Sequence, residues 1–133
     1  MSYDKLSEIA ELIHQYIPSV KSIGSFARIT DVTPKSDGEL TRLRDLGYDG
    51  LTIGIETGDD EALWFMNKGY TSADIIEQCQ RLDAADIHYS FFYLVSISGA
   101  GRGEMGAKLT ADEIIGNVSE EELQRYRKSV HHL

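Results

Sequence analysis

Cysteine is nearly missing from this sequence: Cys79 is the single one among 133 residues. An intrachain disulfide is thereby excluded, and a reducing cytoplasm is the expected setting. Basic residues are also in short supply. Thirteen Lys and Arg stand against 22 Asp and Glu, for a formal net charge of -9. That balance argues against nonspecific nucleic-acid binding, which needs clustered cations to neutralise phosphates. A small anionic ligand held by one local positive group is still compatible with it. No apolar run reaches the roughly 18 residues that would span a bilayer. The opening MSYDKLSEIAELIHQY is polar and mixed in charge, unlike a signal peptide. What remains is the composition of an ordinary soluble globular chain, 41% hydrophobic and 26% charged, long enough to bury a core as one domain.

Two periodicities alternate along the chain. Leu6, Ile9, Ala10, Ile13 and Ile17 form one helical stripe over residues 4–17, which Pro18 stops. Residues 20–29 read as a strand whose Gly24, Ser22 and Ser25 allow close backbone approach. Ser36 and Glu39 have the spacing of a capping box, ahead of Leu40, Leu43 and Leu46 and a C-terminal Gly47. Asp49-Gly50 is expected to turn the chain into a buried strand over 51–55. Asp59-Asp60-Glu61 opens another helix, with acidic groups at the positive end of its dipole. Asn67-Lys68-Gly69 ends it, and Lys68 is read as a helix C-terminal charge. Thr71 to Asp74 repeats the capping pattern, and Ile75, Ile76, Cys79 and Leu82 point inward from the helix that follows. Residues 89–97, aromatic and β-branched, give the strongest strand pattern.

Successive strands start about 30 residues apart, near the length of a βα repeat. The expectation is an α/β fold: a parallel sheet of about three strands with outer helices, a partial (β/α) TIM-like barrel segment. After residue 97 come a glycine-rich loop, Ser98 to Glu104, a short helix starting at Thr110, and a last helix from Ser119. The division expected is residues 1–104 as the barrel segment and 105–133 as a helical tail.

Ligands of parallel α/β sheets sit at the carboxyl ends of the strands. Three such ends are readable. They carry Arg28, then Glu56 and Thr57, then Ser96 and Ser98 before the glycine-rich loop. A guanidinium, a carboxylate and loop amides could together hold a zwitterionic or sugar-bearing ligand. Each has a plainer reading: Arg28 as a salt-bridged loop residue, Glu56 as a cap for the next helix, and the loop as a connector. Asp59, Asp60 and Glu61 are better explained as an acidic first turn than as paired catalytic carboxylates. Cys79 lies on an apolar stripe and reads as a buried, inert thiol. His14 and His88 have no partner at metal-ligand spacing. Trp64 either packs on the sheet or awaits a partner.

The run Tyr48 to Tyr70, YDGLTIGIETGDDEALWFMNKGY, resembles the radical S-adenosylmethionine (radical SAM) enzymes, particularly those like the oxygen-independent coproporphyrinogen oxidases. In them a strand ending G-I/L-E-S/T-G-D/N-D/E precedes a helix ending M-N-K/R-G. The similarity spans roughly residues 1–104. It implies a partial barrel with S-adenosylmethionine across its strand ends. In complete form such an enzyme cleaves that cofactor reductively at a [4Fe–4S] cluster to give a 5′-deoxyadenosyl radical. By the same resemblance Glu56 holds the cofactor's ribose or amino end, Leu94 to Glu104 is the counterpart of an adenine-contacting turn, and Arg28 is a further carry-over. The sequence departs from the family in several places: the first strand is missing, and after Glu104 the tail does not continue as a sixth strand. Ser96-Ile97-Ser98-Gly99 breaks the adenine-turn pattern, and the C-x-x-x-C-x-x-C loop has no counterpart. Three thiolates must hold such a cluster, so Cys79 alone cannot. The expectation is a fragment of a radical SAM enzyme, inactive alone and binding neither cluster nor cofactor well. The alternative is a noncatalytic α/β interaction module that self-associates through open sheet edges. A small hydrolase finds no nucleophile.

Overall fold

A computed structural model describes residues 1–94 and 97–117. Helix α1 (Tyr3–Tyr16) is capped by Ser2, whose hydroxyl accepts from the Lys5 N–H. Strand β1 (Ile23–Arg28) runs into a four-residue helix α2 (Ile29–Val32), and α3 (Asp37–Asp45) leads to β2 (Tyr48–Glu56). Then come α4 (Asp60–Phe65), α5 (Ser72–Ala84), β3 (His88–Tyr93) and α6 (Gly103–Leu109). A π-helical stretch (Thr110–Ile114) and a 3-10 turn (Ile115–Asn117) follow α6 directly. The sequence places a last helix from Ser119, which lies outside the described residues.

The three strands form one parallel sheet in the order β1-β2-β3. The expected α/β architecture is therefore present, a three-stranded slice with helices rather than a closed barrel. Both predicted capping boxes are formed. Ser36 accepts from the Glu39 N–H at 3.1 Å while Glu39 accepts from the Ser36 N–H at 2.9 Å. Thr71 and Asp74 do the same at the start of α5.

Several boundaries differ from the sequence reading: β3 ends at Tyr93, with Leu94 and Ile97 outside any strand, and α6 starts at Gly103, inside the expected glycine-rich loop and ahead of Thr110. Asp49 and Gly50 do not turn the chain but lie inside β2. The turn sits earlier, at Gly47, whose φ of 107° only glycine adopts without strain. The cause is pairing on both sides: Gly50 is in register with Gly24 of β1 and His88 of β3. Helix α2 was not expected. It is too short for a periodic pattern, and it forms because Asp31 accepts from the Arg28 backbone N–H at 3.0 Å. Burial alone would raise the Asp31 carboxyl, but the Arg28 side chain and N–H, with the N-terminal ammonium, outweigh it and hold it at about 2. Because that pKa is depressed in the folded state, the stabilisation is complete above about pH 4 and fades as pH falls towards 2. Acid unfolding followed by circular dichroism should therefore lose stability over this window, by about 1 kcal/mol at most for a pair so open to solvent, and Asp31→Asn should remove that part of the slope.

Helices cover one face of the sheet. Ile53 and Ile55 of β2 and Tyr89 of β3 meet Ile75, Cys79 and Leu82 of α5, with Ile29, Leu40 and Leu63 completing the core. Ala10, Ile23, Leu43 and Tyr48 form a second cluster under α1. The register puts Gly24, Phe26 and Arg28, then Gly50, Thr52 and Gly54, then His88, Ser90 and Phe92 on the opposite face. That face is open: Phe26 is 86% exposed and Phe92 57%. Thr52 and Ser90 share it, their hydroxyls 3.4 Å apart.

Candidate functional site at the carboxyl end of the sheet

The end of β2 is bent by its own backbone. Glu56 has a φ of 67°, the left-handed region that a non-glycine residue enters at a cost. The register slips there: Gly54 opposes Phe92, whereas Glu56 opposes Tyr93. Such a bulge re-aims a side chain at a sheet end. The Leu94 N–H donates to the Glu56 carbonyl at 2.9 Å and closes the irregular pair. The re-aimed carboxylate lies over the open face, its Oε1 only 3.7 Å from where a Cβ on Gly54 would stand. Lys68 Nζ is 3.3 Å from the same oxygen.

Tyr70 supports this corner from behind. Its hydroxyl is 3.4 Å from both the Gly54 and the Ile55 carbonyls, to which it donates. Burial, and then the Glu56 charge, push the phenol up to about 12, so it stays a donor at any physiological pH.

The turn after Glu56 is packed shut. Thr57 is fully buried, and its hydroxyl accepts from the Asp59 N–H at 3.1 Å. Thr110 accepts from the Gly58 N–H at 2.7 Å and donates to the Gly106 carbonyl at 2.8 Å. Asp59 caps α4 through the Glu61 and Ala62 N–H groups. Arg102 ties the glycine-rich loop to that cap, 3.4 Å from Asp59 and 2.9 Å from Glu61. Asp60 accepts from the Ser72 N–H and hydroxyl, joining α4 to α5. The acidic trio is thus structural, as its position in a first turn suggests.

Arg28 stands on the open face in register with Gly54, 74% exposed in its side chain and bonded to Asp31. Arg28 and Glu56 therefore share one rim. Thr57 does not reach it, because its hydroxyl is turned into the packed corner. Ser98 packs against Gly106, and among the described residues its buried Oγ has no hydrogen-bond partner. Ser96 lies outside the described residues. Sequence reasoning missed Lys68, Tyr70, Thr110 and Arg102. Only Lys68 left a trace in the sequence, a cation at a helix end, and its partner was not legible.

Residues 2–105 match the model of the family described as the Radical SAM superfamily. The chain belongs to the radical SAM superfamily. No curated protein matches it. Two solved structures of OxsB, a cobalamin-dependent S-adenosylmethionine radical enzyme, share its fold. One holds aqua-cobalamin and S-adenosylmethionine, the other aqua-cobalamin. Each aligns with a TM-score of 0.61 at 18% identity, over 84% of this chain and 16% of that chain. This radical SAM chain thus spans about a sixth of the solved relatives' length.

Membership implies S-adenosylmethionine and a [4Fe–4S] cluster in a complete enzyme, and the residues here fit the two unequally. The cluster does not fit. Its thiolate ligands would have to come from Cys79, which is 0% exposed on the inner side of α5, on the helix-covered face and across the sheet from Glu56. Among the described residues no group of three His, Cys, Asp or Glu could hold a metal ion. The nucleoside cofactor fits better. Glu56 and Lys68 present one negative and one positive group at the open rim, the complement of an amino-acid end. No helix among the described residues is long and apolar enough to cross a membrane.

Proposed function

We propose that this chain forms one cofactor-holding side of a radical SAM barrel and carries no cluster of its own. The chemistry supplied in the complete enzyme is reductive cleavage of S-adenosylmethionine. The residues of this chain bind and orient. The Glu56 carboxylate accepts from the ribose hydroxyls or the ammonium of the cofactor. Lys68 balances that carboxylate and can turn to the cofactor carboxylate, while Arg28 adds positive charge on the same rim. Thr57 acts from below by fixing the turn, and Ser96 and Ser98 belong to the loop side, where the base would lie. The chain alone is inactive, works in the cytoplasm, and is kin to the coproporphyrinogen oxidase-like enzymes. The helix ending Met66-Asn67-Lys68-Gly69 supports that kinship.

One observation carries the reading: the left-handed backbone at Glu56 places its carboxylate over the open face beside Gly54, paired with Lys68. The test is equilibrium dialysis of S-adenosylmethionine against the full-length parent and its Glu56→Gln variant. A charge-assisted bond is worth about 1.5–3 kcal/mol, so affinity should fall by roughly tenfold or more with an unchanged circular dichroism spectrum. Equal affinity would sink this reading. The alternative, a self-associating noncatalytic module, would then take its place, favoured by the exposure of Phe26 and Phe92.

A further inference from the structure

A cavity of about 140 Å³ lies on the helix-covered side of the sheet, between β1 and β2 and helices α1 to α3. Leu6, Val32, Leu40, Leu43 and Leu51 line it, together with Lys35. The size is that of a cavity able to hold one benzene ring. Met1 and Asp31 line it too, and Met1 is well exposed, which gives the space a route to solvent.

Lys35 is an unusual wall for such a space. The residue is only 8% exposed. A buried ammonium is costly unless its donors and its charge are both met. Its Nζ donates to the Met1 carbonyl at 2.8 Å and the Asp31 carbonyl at 2.5 Å. An ammonium has three donors, so one is left over. Among the described residues no carboxylate lies within ion-pair distance of it. Asp31 is occupied by Arg28 and the N-terminal ammonium, and Glu39 accepts from the Ser36 N–H. Both attract Lys35 from further away, yet burial dominates and lowers its pKa. An apolar chamber with one under-satisfied cation asks for an apolar body bearing one anionic group.

We propose that this cavity is a binding site for a small monocarboxylate of about benzoate size, its carboxylate on Lys35 Nζ and its apolar body among Val32, Leu40, Leu43 and Leu51. The site is separate from the rim, since the sheet stands between them. Cofactor binding and carboxylate binding are therefore independent readings, and either can fail alone.

The test is a titration of the 133-residue chain with benzoate, toluene and cyclohexylammonium, followed by the methyl resonances of its leucines. Benzoate should shift the methyls of Leu40, Leu43 and Leu51 with a Kd of about 1 mM, which is reasonable for so few atoms. Toluene should bind several-fold more weakly and cyclohexylammonium not at all. Lys35→Met keeps the stem and removes the charge. It should weaken benzoate about tenfold and leave toluene unchanged. Equal binding of benzoate and toluene to the unaltered chain would overturn the proposal without any variant. Absence of methyl shifts at 20-fold that concentration, or benzoate binding indifferent to Lys35→Met, would do so as well.

Discussion

Replacing Gly58 with alanine is expected to destabilise the chain by about 3 kcal/mol and to lower its melting temperature by roughly 10 °C. A Cβ at Gly58 would stand 2.7 Å from the Thr110 Cα, 3.0 Å from its nitrogen and 3.1 Å from the Leu109 carbonyl. All three are backbone atoms, so no side chain can swing aside. To make room, the segment from α6 into the π-helical stretch would have to move off the end of β2. That shift would also pull Thr110 from the Gly58 N–H, leaving a buried donor unmet. Gly50 is the control. It lies in β2, the strand that leads into the Gly58 turn, has no positive φ, and a Cβ there meets nothing within 4 Å. Gly50→Ala should stay within about 0.5 kcal/mol of the parent chain. Differential scanning calorimetry of the two variants decides the matter: equal melting temperatures would show that the segment does not close on Gly58.

The second large effect separates the two faces of the sheet. Ile53→Ala should cost about 3–4 kcal/mol, as expected for a large-to-small change in a packed core. Ile53 is fully buried under the helices. Phe26→Ala removes a bigger side chain, yet should change stability by under about 0.5 kcal/mol, because that ring is turned to the open face. Urea unfolding measures both. A larger loss at Phe26 than at Ile53 would mean that the faces are assigned the wrong way round. The carboxylate of Glu56 would then point away from the rim, and the cofactor reading would fall with it.

How much of this was legible beforehand depended on the range of the interaction. Ser36 with Glu39, and Thr71 with Asp74, are three residues apart, and local spacing is enough to read a cap. The apolar stripe of α5, Cys79 included, follows from helical period alone. Glu56 was singled out because strand ends are where parallel sheets place their ligands. Asp49-Gly50 misled, because a strong local turn pair gave way to pairing with strands on both sides. The partnership of Glu56 with Lys68 crosses a turn and a helix, and that of Gly58 with Thr110 spans 52 residues. No periodicity carries such contacts. Lys35 was missed for the same reason: a lysine beside a proline looks solvent-facing until the Met1 and Asp31 carbonyls accept its ammonium and it is buried.

The left-handed backbone at position 56 has an evolutionary corollary. A glycine there would relax the dihedral by about 1 kcal/mol, so drift towards thermal robustness favours the very replacement that strips the rim of its anion. On the proposed reading of the rim, a lineage that no longer needed the ligand would be free to drift that way. If the rim binds as proposed, relatives that keep the bulge without a ligand would be expected to carry glycine at position 56.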